Sequence, residues 1–280
     1  MASGREHERQ FDAMSVQAAP AHVEILSPAA EIAFPDQWYE IMDERHFWMK
    51  WRARAFLRQC RALSISTETP YSMLEIGCGL GVLRQMLEAA TKWNVDAMDL
   101  NAGALFRSAP GRGRTALYNI HDRAPDLAAK YDAIILFDVI EHIDDPVSFM
   151  TSALYHLKPG GHVFINVPAL QSLYSKFDVA VGHSRRYNKG TLEAELAKAG
   201  IRKVDDRYWG LTMLPLLALR KLWLSLRSEG PATGTTVVQR GLVPPGRLAD
   251  AVLTAMMQVE TSVIGNPPLG TSLLCVGQAG

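Results

Sequence analysis

The stretch from Ser72 to Asp99 limits the fold more than any other part of the chain. An apolar run, Met73 to Ile76, breaks into three alternating glycines, Gly77, Gly79 and Gly81. A helix-forming stretch, Val82 to Ala90, follows, and a second apolar run ends on Asp99. Strand, glycine loop, helix, strand and acid in that order describe a nucleotide-type ligand site at the edge of a parallel sheet. The spacing is Gly-x-Gly-x-Gly, with Glu75 two residues ahead, and Val82 stands where a dinucleotide fingerprint has its third glycine. A pyrophosphate uses the anion-favouring helix N-terminus. An acid beside the loop instead suits a phosphate-free, cationic ligand, with Asp99 accepting ribose hydroxyls.

The 29 basic and 29 acidic residues balance, so no overall field points to nucleic acid or to an acidic partner. Cys60, Cys78 and Cys275 are few, odd in number and far apart, which suits a reducing cytoplasm and leaves no metal-ligand pair among them; no metal site is expected. Met1 to Gln10 is charged, unlike a signal peptide. The longest strongly apolar stretch without a charge, Tyr208 to Leu219, is too short to span a bilayer.

Residues 1–34 lack a clear period and read as a flexible tail. Residues 35–70 read as a helical cover, with Trp48, Trp51 and Ala55 on one stripe and a run of arginines after Glu44. Strands are expected at Met73–Ile76, Val95–Met98, Thr115–Tyr118, Ala133–Phe137, His162–Val167 and Arg202–Trp209. Helices are expected at Val82–Ala90, Ala102–Arg107, Pro146–Leu157 and Lys189–Ala199. Apolar strands alternating with helices imply a mostly parallel sheet covered on both faces. Residues 213–267 read as a helical insertion with a flexible Ser228–Thr236 stretch, before a last strand at Leu269–Val276. The Leu211–Leu226 segment, with Arg220 and Lys221, reads as core or pocket lining, with peripheral membrane contact as the alternative.

The Leu74–Gly81 loop, Asp99, the run Phe137-Asp138-Val139-Ile140-Glu141-His142 and the Leu157-Lys158-Pro159-Gly160-Gly161 turn together resemble class I S-adenosylmethionine-dependent methyltransferases of the type 11 and type 23 small-molecule groups. His46–Arg52, Gly182–Tyr187 and Pro268–Leu274 match segments of the same subgroup. The resemblance covers roughly residues 70–210. It implies an α/β, Rossmann-like fold with a seven-stranded sheet whose last strand is antiparallel, S-adenosylmethionine as cofactor and a small-molecule acceptor. Residues 71–280 would form the methyltransferase domain. Some members are associated with cell-surface glycans or lipids.

On that basis Glu75, Gly77, Cys78, Gly79 and Gly81 are assigned to the methionine end of the cofactor, Asp99 to ribose, and Leu100, Ile120 and His121 to adenine. The segment Ile120–Asp122 departs from the family's usual Gly-Asp pattern. Phe137 and Asp138 fall near the transferring methyl group, with Asp138 as a contact for the ammonium. His142 is the foremost candidate base and His183 the second. Trp48, Arg52, Arg186 and Tyr187 are the candidate acceptor contacts, the arginine forks suiting a carboxylate or phosphate. For most of these residues a structural role competes: a cap for His142, a loop brace for Arg186, and packing on the sheet for the Trp48 helix. The expected reaction is in-line methyl transfer releasing S-adenosylhomocysteine. Three rivals stand beside it: aminocarboxypropyl transfer or cyclisation releasing methylthioadenosine, an NAD-dependent dehydrogenase, and a non-catalytic scaffold. The acceptor atom and the oligomeric state are not legible.

Overall fold

A computed structural model describes residues 19–29, 44–226 and 246–279. The tail residues 1–18 and 30–34, the start of the expected cover helix and the Ser228–Thr236 stretch lie outside the described residues. The strands are β1 (Val23–Ile25), β2 (Ser72–Ile76), β3 (Asn94–Asp99), β4 (Thr115–Leu117), β5 (Tyr131–Phe137), β6 (Leu157–Pro168), β7 (Ile201–Trp209) and β8 (Ser272–Ala279). The helices are α1 (Phe47–Ala62), α2 (Val82–Ala90), α3 (Ala102–Leu105), α4 (Pro146–Leu154), α5 (Lys176–Ala180), α6 (Lys189–Lys198), α7 (Leu214–Leu226) and α8 (Arg247–Val259), the last running into a π-helical turn at Glu260–Ile264.

All strands join one sheet in the order β1-β4-β3-β2-β5-β6-β8-β7, and β8 is antiparallel to both of its neighbours. The chain leaves β2 toward β3 on one side and enters β5 on the other, so the carboxyl ends of β2 and β5 flank the switch point where open α/β sheets bind ligands. The expected seven strands are present, and an eighth is added. Val23–Ile25, inside the segment read as a tail, pairs in parallel with Thr115–Leu117 at the sheet edge. A three-residue strand carries too little alternation to register in sequence. It is held by its ladder and by Arg114, whose guanidinium donates to both carboxylate oxygens of Glu24.

The strand pattern is period 2 with both phases apolar, which places two cores on the two faces of the sheet. On one face Leu74, Ile134, Leu136, Ile165 and Val167 meet Met150 of α4 and Leu192 and Leu196 of α6. On the other, Met73, Val95, Ile135, Phe137 and Phe164 meet Trp51 and Phe56 of α1, Leu83 and Leu87 of α2, and Met257 of α8. Phe56 is fully buried and sits edge-on to Phe137 and Phe164, with ring centroids 5.3 and 4.9 Å away. The helix read as a cover is therefore also a core element. Ile134 on the central strand is fully buried; Ile134→Val is expected to cost about 0.5–1.5 kcal/mol in urea unfolding, through the methylene lost from a packed face.

Candidate active site

The loop after β2 takes its shape from backbone that only glycine adopts readily. The φ angles are +76° at Gly77, +55° at Gly79 and +68° at Gly81. A Cβ on Gly77 would lie 2.6 Å from Cγ2 of Val139. The Gly79 amide donates to Oδ2 of Asp99 at 2.7 Å, and the Asn101 amide donates to Oδ1 at 2.8 Å. A carboxylate offers about four lone-pair sites, so Asp99 braces the loop and keeps capacity for a ligand's hydroxyls. Burial raises its pKa against the amides of Asn101, Gly79 and Leu100. Behind the loop Glu75 is buried, accepts from the Arg84 amide at 3.2 Å, and is pushed up to about 7 by burial against the pull of Arg52 and Arg84.

A second junction joins α1 to the sheet. Asp138, at a φ of +57° just after β5, meets Arg52 Nη1 through Oδ2 at 2.7 Å. Its Oδ1 accepts from Asn166 Nδ2 at 2.7 Å, and Asn166 Oδ1 accepts from Trp209 Nε1 at 2.8 Å. Trp209 packs against Trp48, with centroids 4.6 Å apart and the rings tilted by 40°. Both oxygens of Asp138 are thus engaged by protein groups, and Asp138 positions Arg52 and α1 over the sheet edge. The pair is only partly exposed, so Arg52→Ala and Asp138→Ala are each expected to cost about 1–3 kcal/mol, less than a fully buried pair would. In a denaturation double-mutant cycle the two losses should not add; strict additivity would show that the contact carries no coupling.

Across the opening, the turn Ile140–His142 and the loop after α5 are tied together by the Ser184 amide, which donates to the Glu141 carbonyl at 2.9 Å. His183 Nδ1 lies 3.0 Å from Asp178 Oδ1, which also accepts from Arg186 Nε at 2.7 Å. Burial opposes the Asp178 charge, but His183 and Arg186 hold its pKa down at about 2. His142 Nδ1 sits 3.0 Å from the Gly182 carbonyl; burial, then His183, lowers its pKa to about 4. The two imidazoles meet edge to face at 4.9 Å.

These parts line one cavity of about 690 Å³, within the range of about 300–1,000 Å³ that small-molecule sites span. Of the sequence-assigned residues, Glu75, Gly77, Cys78, Gly79, Asp99, Leu100, Ile120, His121, Phe137, Asp138, Trp48, Arg52, His142, His183 and Arg186 all line it. Two do not. Gly81 is the N-cap of α2 and acts through the backbone. Tyr187, assigned to the acceptor, is a core residue 1% exposed whose hydroxyl donates to Glu195 at 2.9 Å, because the chain at Ala169 bridges it back against the sheet. Arg186 is buried and committed to Asp178 and to the Ala169 carbonyl, so it braces the loop first. Glu141, Phe177, Met213, Leu217 and Arg220 also line the cavity and were not assigned from sequence. Glu141 had a signal, its place beside His142. Arg220 lies 3.9 Å over the Phe177 ring, turned inward rather than toward a headgroup layer. No described helix is long and apolar enough to cross a membrane.

A family profile described as a methyltransferase domain matches residues 41–205. The chain is 33% identical over 99 residues to the ubiquinone biosynthesis O-methyltransferase of Vibrio parahaemolyticus, spanning 34% of this chain and 42% of that protein. It thus spans about two fifths of the length of the curated relatives it matches. By structure it is similar to phosphoethanolamine N-methyltransferase 2 of Haemonchus contortus in complex with S-adenosylmethionine, with a TM-score of 0.50, 16% identity, and coverage of 81% of this chain and 52% of that one. It is also similar to the [4+2]-cyclase SpnF, with a TM-score of 0.51, 15% identity, and coverage of 90% and 89%. The site fits the cofactor of this family. A side chain at Gly77 would collide with Val139 at the cavity wall, the buried Glu75 carboxylate suits a cation, and Arg84, the basic side chain next to the loop, is turned into the core toward Thr115. The chain belongs to the methyltransferase-domain family, the class I methyltransferases whose cofactor is S-adenosylmethionine.

Proposed function

We propose that this chain transfers a methyl group from S-adenosylmethionine to an oxygen of an apolar small-molecule acceptor. The observation that carries the reading is that one cavity joins the Gly77–Gly79 loop and Asp99 to the Glu141, His142 and His183 cluster, beneath Trp48. Glu75, the loop amides and Asp99 would hold the cofactor, whose sulfonium supplies an electrophilic methyl group when bound. Trp48, Phe47, Phe177, Met213 and Leu217 give the acceptor an apolar wall and exclude water. His183, oriented through Nδ1 by Asp178, presents Nε2 as the base for an acceptor hydroxyl. His142, neutral and weakly basic near neutral pH, is the lesser candidate. The O-methyltransferase relatives support oxygen as the acceptor atom.

Mass spectrometry of the spent cofactor, with hydroxyl-bearing aromatic acceptors present, tests the reaction. S-adenosylhomocysteine is expected; methylthioadenosine would indicate transfer or cyclisation of the aminocarboxypropyl part and overturn the reading.

Cofactor affinity should also depend on pH through Glu75. Its pKa of about 7 reflects burial, with Arg52, Arg84 and Asp99 as the charged neighbours. An ammonium or sulfonium favours the ionised carboxylate, so binding must displace a proton below that pKa. Calorimetry should therefore show affinity weakening by about fivefold from pH 7 to pH 6, and by nearly tenfold per further pH unit below that, as one released proton requires. In Glu75→Gln the affinity should be weaker and that slope should flatten. An unchanged slope would remove Glu75 from the cofactor site.

A further inference from the structure

Glu141 is a buried carboxyl group at the cavity wall. It is 0% accessible, it borders the cavity, and neither carboxylate oxygen meets a hydrogen-bond donor among the described residues. Burying an unpaired carboxyl group is costly. Burial, then Asp138, drives its pKa well up. Next to it stand His142 and His183, and one ligand atom from each of the three residues falls within 4.8 Å of the others.

We propose that Glu141, His142 and His183 bind one divalent first-row transition-metal ion, making a metal site at the acceptor end of the cavity. The donor set is two imidazoles and a carboxylate, which suits zinc, iron(II) or cobalt(II). The outer contacts have the form that metal-binding histidines use. His183 sets its Nδ1 against the Asp178 carboxylate and His142 sets its Nδ1 against the Gly182 carbonyl, at 3.0 Å each. His183 Nε2 already lies 3.9 Å from Glu141 Oε1. Ligand atoms about 2.1 Å from a tetrahedral zinc stand about 3.4 Å apart, so side-chain rotations of about an ångström close the set. An ion there would satisfy the buried carboxylate and offer an open position to an oxygen donor in the cavity. A sequence expectation of no metal was natural: His183 lies far along the chain from Glu141 and His142, and only the loop after α5 brings it back.

This inference rests on the proposed function and changes one role in it: with the ion bound, His183 Nε2 is a ligand, and the ion, by polarising the acceptor hydroxyl, would replace the imidazole as the group that eases its deprotonation. Its test needs neither cofactor nor acceptor, so its failure is separate from failure of the methyl-transfer reading. The full chain, stripped with chelator and desalted, is titrated with Zn²⁺ by calorimetry and with Co²⁺ by visible absorption. One ion per chain is expected, with ligand-field bands for cobalt. Glu141→Gln and His183→Ala should each weaken binding by at least about tenfold, and Asp178→Asn by about 10- to 100-fold, the scale at which outer partners act. His162→Ala, a histidine outside the cluster near Tyr71, should leave it unchanged. No saturable binding by the wild type, binding unaffected by Glu141→Gln and His183→Ala, or loss in only one of those two variants would overturn the three-residue site.

Discussion

His183→Ala is expected to lower methyl-transfer turnover by about 10²–10⁴-fold, the range over which a positioned general base acts, while S-adenosylmethionine affinity stays within about threefold of wild type. The asymmetry follows from where the side chain stands. Asp178 holds Nδ1 of His183 and is itself fixed by Arg186 and by the amide of Ser175. The loop amides, Glu75 and Asp99, by contrast, belong to the elements around β2 and β3. Removing the imidazole therefore takes away the group that accepts or polarises the acceptor proton and leaves the cofactor cradle intact. Asp178→Asn should give a smaller turnover loss, since the ring remains but its orientation loosens. Single-turnover rates beside calorimetric affinities check this split. Equal losses in both quantities would make His183 a structural brace, and wild-type turnover on a working acceptor would remove it from the chemistry.

Asp99→Ala is expected to act on the opposite quantity. Its carboxylate receives the Gly79 and Asn101 amides and borders the cavity. The variant loses both braces and the ligand's hydrogen-bond acceptor. Hydrogen bonds to a charged group contribute about 1.5–3 kcal/mol each, so two lost ligand bonds correspond to a weakening of at least about 100-fold in cofactor affinity. Asp99→Asn keeps one acceptor oxygen and should lie between the two. Calorimetry measures the affinity, and urea unfolding separates loss of the site from loss of the fold. Unchanged affinity in Asp99→Ala would remove it from the ribose role.

What the sequence disclosed depends on how far apart in the chain the cooperating residues lie. The β2 loop, α2 and Asp99 form a contiguous unit, and three alternating glycines followed by a helix and a strand-end acid can be read from spacing alone. The two-faced apolar alternation of Met73, Leu74, Ile134 and Ile135 likewise marks a sheet covered on both sides. Residues 23–25 were missed because their strand exists only through its pairing with Thr115–Leu117. Tyr187 lies in a loop motif that reads as an acceptor contact, while its ring folds back into the core, outside the cavity lining. Asp138 and Arg52 both line the cavity, as their assignment from sequence expects, but the ion pair between them spans two distant segments and is not legible from spacing. The approach of His183 to Glu141 has the same origin.

The most direct test of the central claim, that the Gly77–Gly81 loop serves a phosphate-free cationic cofactor, is a calorimetric titration of the same protein with S-adenosylmethionine, S-adenosylhomocysteine and NAD⁺. The first two are expected to bind once per chain and to lose affinity together in Asp99→Ala, with no saturable binding of NAD⁺. Saturable NAD⁺ binding that displaces S-adenosylhomocysteine, or S-adenosylmethionine binding indifferent to Asp99, would contradict it.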